Sequence, residues 1–167
     1  NPLAVDTDGD TLSDYDEIFT YKTSPLKSDT DSDGLADNAE LQTYTTNPLV
    51  ADTDGDGLKD GDEIFLHKSN PNLADTDGDT LKDGDEVNTY KTSPILTDSD
   101  SDTVPNTLGN SLNDYEELFK YFTNPLDPDT DHDGVTDYDE IFIYHTNPSL
   151  QINITISDAT VTEPGHH

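Results

Sequence analysis

The 167-residue chain has no cysteine, no arginine and only seven lysines. Without cysteine there are no disulfide staples and no zinc thiolate sites. The seven cations face 38 acidic residues, for a formal net charge of -31. That balance excludes nucleic acid and anionic membrane surfaces as partners, because a phosphate backbone selects for cations. Long apolar runs are missing too: nothing approaches the roughly 18 residues that a bilayer-spanning helix needs, so no membrane insertion is expected. Only 29% of residues are hydrophobic, and by composition alone such a chain reads as acidic and disordered.

What is present argues otherwise, because the acids are placed in register. In Asp52 to Glu63 (DTDGDGLKDGDE), Asp52, Asp54 and Asp56 stand two apart, Gly57 follows, and Asp60 and Glu63 come three and six residues later. This is the ligand order of the twelve-residue calcium loop, with a sharp turn at position 6. Five carboxylates in one turn repel each other in water; a hard cation that takes six to eight oxygens removes the conflict. An acidic surface adapted to salt would scatter its acids over exposed faces instead.

The register recurs with a 23-residue period, the mark of a solenoid or linear array. Residues 1–5 match the end of a repeat whose loop is missing, so the chain is expected to be a fragment or a processed product, without a signal peptide at Asn1. Unit one (6–28) carries Asp6, Asp8, Asp10, Asp14 and Glu17; unit two (29–51) carries Asp29, Asp31, Asp33, Asp37 and Glu40. Unit three (52–74) is the stretch above, and unit four (75–97) supplies Asp75, Asp77, Asp79, Asp83 and Glu86. Unit six (129–150) supplies Asp129, Asp131, Asp133, Asp137 and Glu140. Unit five (98–128) opens with Asp98, Asp100 and Asp102 and then departs. An eight-residue insertion aligns Asp114 and Glu117 with positions 9 and 12, whereas the uninterrupted register would put Asn106 and Gly109 there. The first register is preferred, since it keeps five acids and places the insertion in polar, turn-forming Thr103 to Asn113.

Each loop should lead into a helix of about two turns, stopped by TSP, TNP or SNP, since proline disfavours helix at the residue before it. Helices that short are marginal alone in water. Apolar groups are few: the seventh residue of each loop, the residue after the last acid (Ile18, Leu41, Ile64, Val87, Leu118, Ile141), and a ring three further on (Tyr21, Tyr44, His67, Tyr90, Tyr121, Tyr144). The last two share a helical face and should pack on the neighbouring unit. His67 and His132 are given no functional role. From Gln151 to Glu163 the alternation of Ile152, Ile154 and Ile156 with polar residues predicts a β-strand, the start of a following β domain or an edge for another chain. Asn153 to Thr155 is a glycosylation sequon, and residues 164–167 read as a tag remnant.

Six copies of this loop, each followed by a T(S/N)P-type stop, resemble the thrombospondin type 3 repeats of bacterial and archaeal surface proteins. The resemblance implies an elongated array of calcium-binding loops with short helices and little regular secondary structure, serving as a stalk or fibre segment outside the cell or at its surface. It implies six or more Ca²⁺ ions, held by the thirty carboxylates named above and by the backbone carbonyls of Leu12, Leu35, Leu58, Leu81, Val104 and Val135. Its partners would be adjacent domains of a longer chain or neighbouring fibre subunits. Thr11, Thr80 and Thr103 depart from the family's turn glycine, so either the positive backbone angle is not required there or those sites bind more weakly. The segment Ile154 to Glu163 faintly resembles the opening of a Calx-β domain.

A calcium sensor or buffer is the main alternative reading. A sensor needs a helix on both sides of the loop and a Met-rich groove; prolines precede these loops, and methionine is absent. A dockerin-like module would show one paired-loop unit and not six in line. Catalysis is not expected, since acid pairs act as general acid and base only where a pocket splits their pKa values. A further acid at position 11 (Asp16, Asp62, Asp85, Glu116, Asp139) is either a solvated helix-start acid, favourable at the N-terminal dipole, or a ligand to a second ion shared between units.

Overall fold

A computed structural model describes residues 5–102 and 111–151. Within these residues the chain repeats one motif six times: an irregular acidic loop, one turn of α-helix, a π turn and a bend. The α turns are α1 (Asp14–Asp16), α2 (Asp37–Ala39), α3 (Asp60–Asp62), α4 (Asp83–Asp85), α5 (Asp114–Glu116) and α6 (Asp137–Asp139). Each continues into a five-residue π turn: Glu17–Tyr21, Glu40–Tyr44, Glu63–His67, Glu86–Tyr90, Glu117–Tyr121 and Glu140–Tyr144. There is no strand among the described residues, and the strand expected from residue 152 onward lies outside them.

Local chemistry explains each boundary. The ninth loop residue opens the helix and closes the loop in one step, its amide donating to the carbonyl just before the loop, as from Asp37 to Ser28 at 3.0 Å and from Asp137 to Pro128 at 3.0 Å. Ser13, Asn113 and Thr136 add side-chain caps; Ala36, Lys59 and Lys82 add none. The helices end at a left-handed residue, Lys22, Thr45, Lys68, Lys91, Phe122 or His145. The sequence assigned that stop to proline, but the break at Lys22 comes before Pro25 is reached. Three of these caps are lysines that fold back on the last carbonyls, with Lys68 Nζ 3.2 Å from Ile64 O and 2.9 Å from Phe65 O. A cation at a helix C-terminus satisfies orphan carbonyls and the dipole together.

Unit five keeps the motif with Asp114 and Glu117 in the helix. The Asp114 amide donates to Thr97 O at 3.1 Å, the contact that position 9 makes in every unit. Leu112, which is fully buried, stands two residues before Asp114 where Leu12, Leu35, Leu58 and Leu81 stand in their own units. Leu112 thus takes the buried place that those leucines hold. Val104 and Thr103 lie outside the described residues, as do Asn106 and Gly109.

The interior is not an apolar core. Among the described residues six hydrophobic side chains are buried, against 21 polar or charged ones, so apolar burial cannot be the main organising force here. The face predicted to pack between units does so only in part. Ile18 remains 47% exposed, while Tyr90 meets Phe119 and Tyr121 meets Phe142 edge-on across unit junctions, each pair at 5.9 Å between ring centroids. Polar links do the rest: Lys59 Nζ to Ser32 O at 2.9 Å, Asn72 Nδ2 to Tyr44 O at 3.1 Å, and the Gly84 amide to Asp56 Oδ2 at 2.9 Å. Gly61 and Gly84 sit so close to the carbonyls of Asp33 and Asp56 that a β-carbon would collide with them.

Candidate metal centres

In the loops of units one, two and three, positions 1, 3 and 5 converge. Carboxylate oxygens of Asp6, Asp8 and Asp10 all lie within 4.8 Å of one another, as do those of Asp29, Asp31 and Asp33 and of Asp52, Asp54 and Asp56. The loop's own amides hold them there. Asp52 Oδ1 accepts from the Gly55 amide at 2.7 Å and its Oδ2 from the Gly57 amide at 3.1 Å, while Asp56 Oδ1 accepts from Leu58 at 2.7 Å. The turn requires positive φ at position 6, and Thr11 (φ 79°) and Thr80 (φ 87°) adopt it as Gly34, Gly57 and Gly134 do. The backbone angle is thus kept where glycine is not.

A second convergence forms between units. Asp10 and Glu17 of unit one meet Asp37 of unit two, and Asp33 and Glu40 meet Asp60, again with oxygens within 4.8 Å and all six residues buried. Position 9, read from sequence as a ligand within its own loop, thus reaches the preceding unit. Position 5 belongs to both groups. Unit five is coupled to unit four in the same sense, since the Asp79 charge is among those that push Asp114 upward. Two of the position-11 acids have partners at the surface: Asp16 is exposed and accepts from Ser13 Oγ at 2.8 Å, and Glu116 pairs with Lys120 at 2.7 Å. Asp16 and Glu116 thus behave as helix-start acids, whereas Asp139 keeps its Oδ1 buried without a hydrogen-bond partner. His132 is exposed, with Nδ1 2.6 Å from Asp129 O.

Buried like charges should be neutralised or paired, and among the described residues none of these clusters contains a protein cation. Instead, each position-12 glutamate spends one oxygen on the protein and leaves the other alone. Glu63 Oε1 accepts from Ser69 Oγ at 3.1 Å, whereas Oε2 is buried without a hydrogen-bond partner. The same oxygen is orphaned in Glu17, Glu40, Glu86, Glu117 and Glu140, together with Asp8 Oδ2, Asp10 Oδ2, Asp54 Oδ2 and Asp77 Oδ2. Orphaned buried acceptors are rare in folded proteins. Burial, then the neighbouring carboxylates, push the glutamates up from an ordinary 4.5: Glu17 to about 7, Glu40, Glu63 and Glu86 to about 8, and Glu117 to about 9. All-oxygen, anionic donor sets of this kind suit a hard divalent cation such as calcium, and not a soft transition metal.

The model of the bacterial TSP3 repeat matches residues 6–28, 29–51, 52–74, 75–95 and 129–150. Unit five is outside that match, and the structure supplies it. Two solved structures are similar over short stretches. The biofilm associated protein BSP domain is 46% identical over 26% of this chain and 7% of its own, with a TM-score of 0.26; the biofilm associated protein B domain is 53% identical over 27% of this chain and 11% of its own, with a TM-score of 0.27. No curated protein matches the chain. With five of its six units matched and the sixth built to the same plan, the chain belongs to the bacterial TSP3 repeat family.

Proposed function

We propose that the chain is a calcium-dependent structural spacer of an extracellular or cell-surface protein, stiffened by ions bound within its loops and between its units. The observation that carries this reading is the orphaned, buried Oε2 atom of the position-12 glutamate, repeated in all six units. An ion within the loop would be held by positions 1, 3 and 5, and an ion at the junction by positions 5 and 12 with position 9 of the next unit. This gives a candidate count above six. Each ion supplies positive charge where the fold has gathered only negative charge.

Folding and binding are then one process. Without calcium the carboxylates repel and loosen the junctions; with it each loop closes and holds the next unit, so free energy of binding adds to free energy of folding. Extracellular calcium modules work at about 10⁻⁴ to 10⁻³ M, which suits a spacer that is firm outside a cell and slack within it. Small-angle scattering with and without millimolar calcium, together with a count of bound ions, tests this. A stiffer, more defined particle holding more than six ions supports it. An unchanged profile on adding calcium would return the chain to an acidic, disordered spacer.

A further inference from the structure

At every junction in the described residues, two hydroxyl side chains and one backbone amide close a ring of hydrogen bonds around the shared carboxylates. Between units two and three, Thr46 Oγ1 donates to Glu40 Oε1 at 3.1 Å. The next residue, Asn47, donates its amide to Thr53 Oγ1 at 3.0 Å, and Thr53 Oγ1 donates to Asp60 Oδ2 at 2.6 Å. Asp60 and Glu40 then meet, with Asp33, in the junction cluster. A hydroxyl has one proton to give and two lone pairs, and Thr53 uses the proton on Asp60 and a lone pair on Asn47. Glu40 is fully buried, and its Oε2 is left free to face the cluster.

We infer that these paired hydroxyls are positioning residues for a junction cation: Thr46 and Thr53 aim Glu40 and Asp60 at one point between units. The inference rests on the calcium reading above. Its support is chemical. Serine replaces threonine at the first place in unit three (Ser69) and at the second in unit five (Ser99), and the bonds persist: Ser69 Oγ to Glu63 Oε1 at 3.1 Å, and Ser99 Oγ to Asp114 Oδ2 at 2.7 Å. What the units share there is the O–H group, not the methyl, so the position serves hydrogen bonding and not packing. Outer partners of metal ligands are worth about 10- to 100-fold in affinity. The threonine of each TSP or TNP stop thus has a task separate from that of its proline.

The test is a calcium titration of the full chain by equilibrium dialysis, comparing wild type, Thr46→Val/Thr53→Val and Thr46→Ser/Thr53→Ser. Valine keeps the shape and deletes only the hydroxyl. At the free calcium that just fills wild type, the valine pair is expected to hold one ion fewer and to regain it when calcium is raised about ten-fold or more; the serine pair should titrate as wild type. Equal titration by the valine pair overturns the inference. So does a loss that saturating calcium does not restore, or one that the serine pair shares, since either would mark a structural role. A wild type that binds no calcium would overturn the underlying reading instead, and shows this before any variant is made.

Discussion

Asp60 and Glu40 are both buried and both acidic, yet their carboxylate oxygens approach within 4.8 Å across a unit boundary. Glu40→Gln therefore acts in opposite directions with and without calcium. In its absence the variant is more stable at neutral pH, by about 1–3 kcal/mol, because it no longer has to bury or protonate an acid. In its presence the gain from calcium shrinks, because an anionic ligand is gone. Thermal melts in chelator and in millimolar calcium read both signs, and a variant destabilised in both would count against the site.

Asp33 lies in its loop cluster and in the junction cluster, whereas Asp29 lies in the loop cluster alone. Asp33→Asn is expected to remove two ions from the bound count and Asp29→Asn one, each weakening its sites by ten-fold or more. Ion counting by equilibrium dialysis separates them. Equal losses would mean that the two clusters do not hold separate ions.

The calcium-free protein should lose stability as pH rises. Glu40, Glu63 and Glu86 titrate near 8 when folded, against an ordinary 4.5. Below about pH 4.5 both folded and unfolded chains carry the proton. As pH climbs toward 8 the unfolded chain sheds it first, and that contribution to stability drains away. Calcium competes with the same protons, so its stabilising effect grows across this window. Chelated samples melted from pH 4 to pH 9 check the sign, and a rise in stability with pH would refute it.

Thr80 holds φ 87° in a loop where Gly34 and Gly57 hold similar angles without a side chain. Thr80→Gly relieves a left-handed strain of roughly 1–2 kcal/mol while adding unfolded-state entropy of about 0.5–1 kcal/mol. A net gain of up to about 1 kcal/mol in calcium is expected, read as a raised melting temperature. The side chain of Thr11 accepts from Asn38 Nδ2 at 3.1 Å, so Thr11→Gly should gain less.

The periodic acids made the loops, their boundaries and the helix starts legible, because each repeat keeps one spacing from its first acid to its helix. Unit five could be placed from sequence through Asp114 and Glu117, but the buried Leu112 was missed, because it lies in the stretch Thr103 to Asn113 that was read as a polar, turn-forming insertion. The junction clusters were not legible. The spacing of the acids alone does not tell that Asp37 turns toward Glu17 of the unit before. A signal did exist, since a hydroxyl residue recurs at position 2 (Thr7, Thr30, Thr53, Thr76, Ser99, Thr130) and its bond to position 9 turns that acid away from its own loop. The helix stop was assigned to proline because the left-handed residue that ends each helix, Lys in three units and Thr, Phe or His in the others, has no fixed identity.

Because position 9 reaches the acids of the unit before it, as Asp37 reaches Glu17 and Asp60 reaches Glu40, the array has a grammar of whole units. Removing residues 52–74 would bring Asp83 to Asp33 and Glu40 in the place of Asp60, with Thr76 standing for Thr53, and no new interface would be needed. A cut that is not a whole unit would leave an acid without its counterpart. Length can therefore be edited freely in steps of one repeat, by recombination or by design, while damage to a single ninth-position acid weakens the upstream neighbour and spares the downstream one.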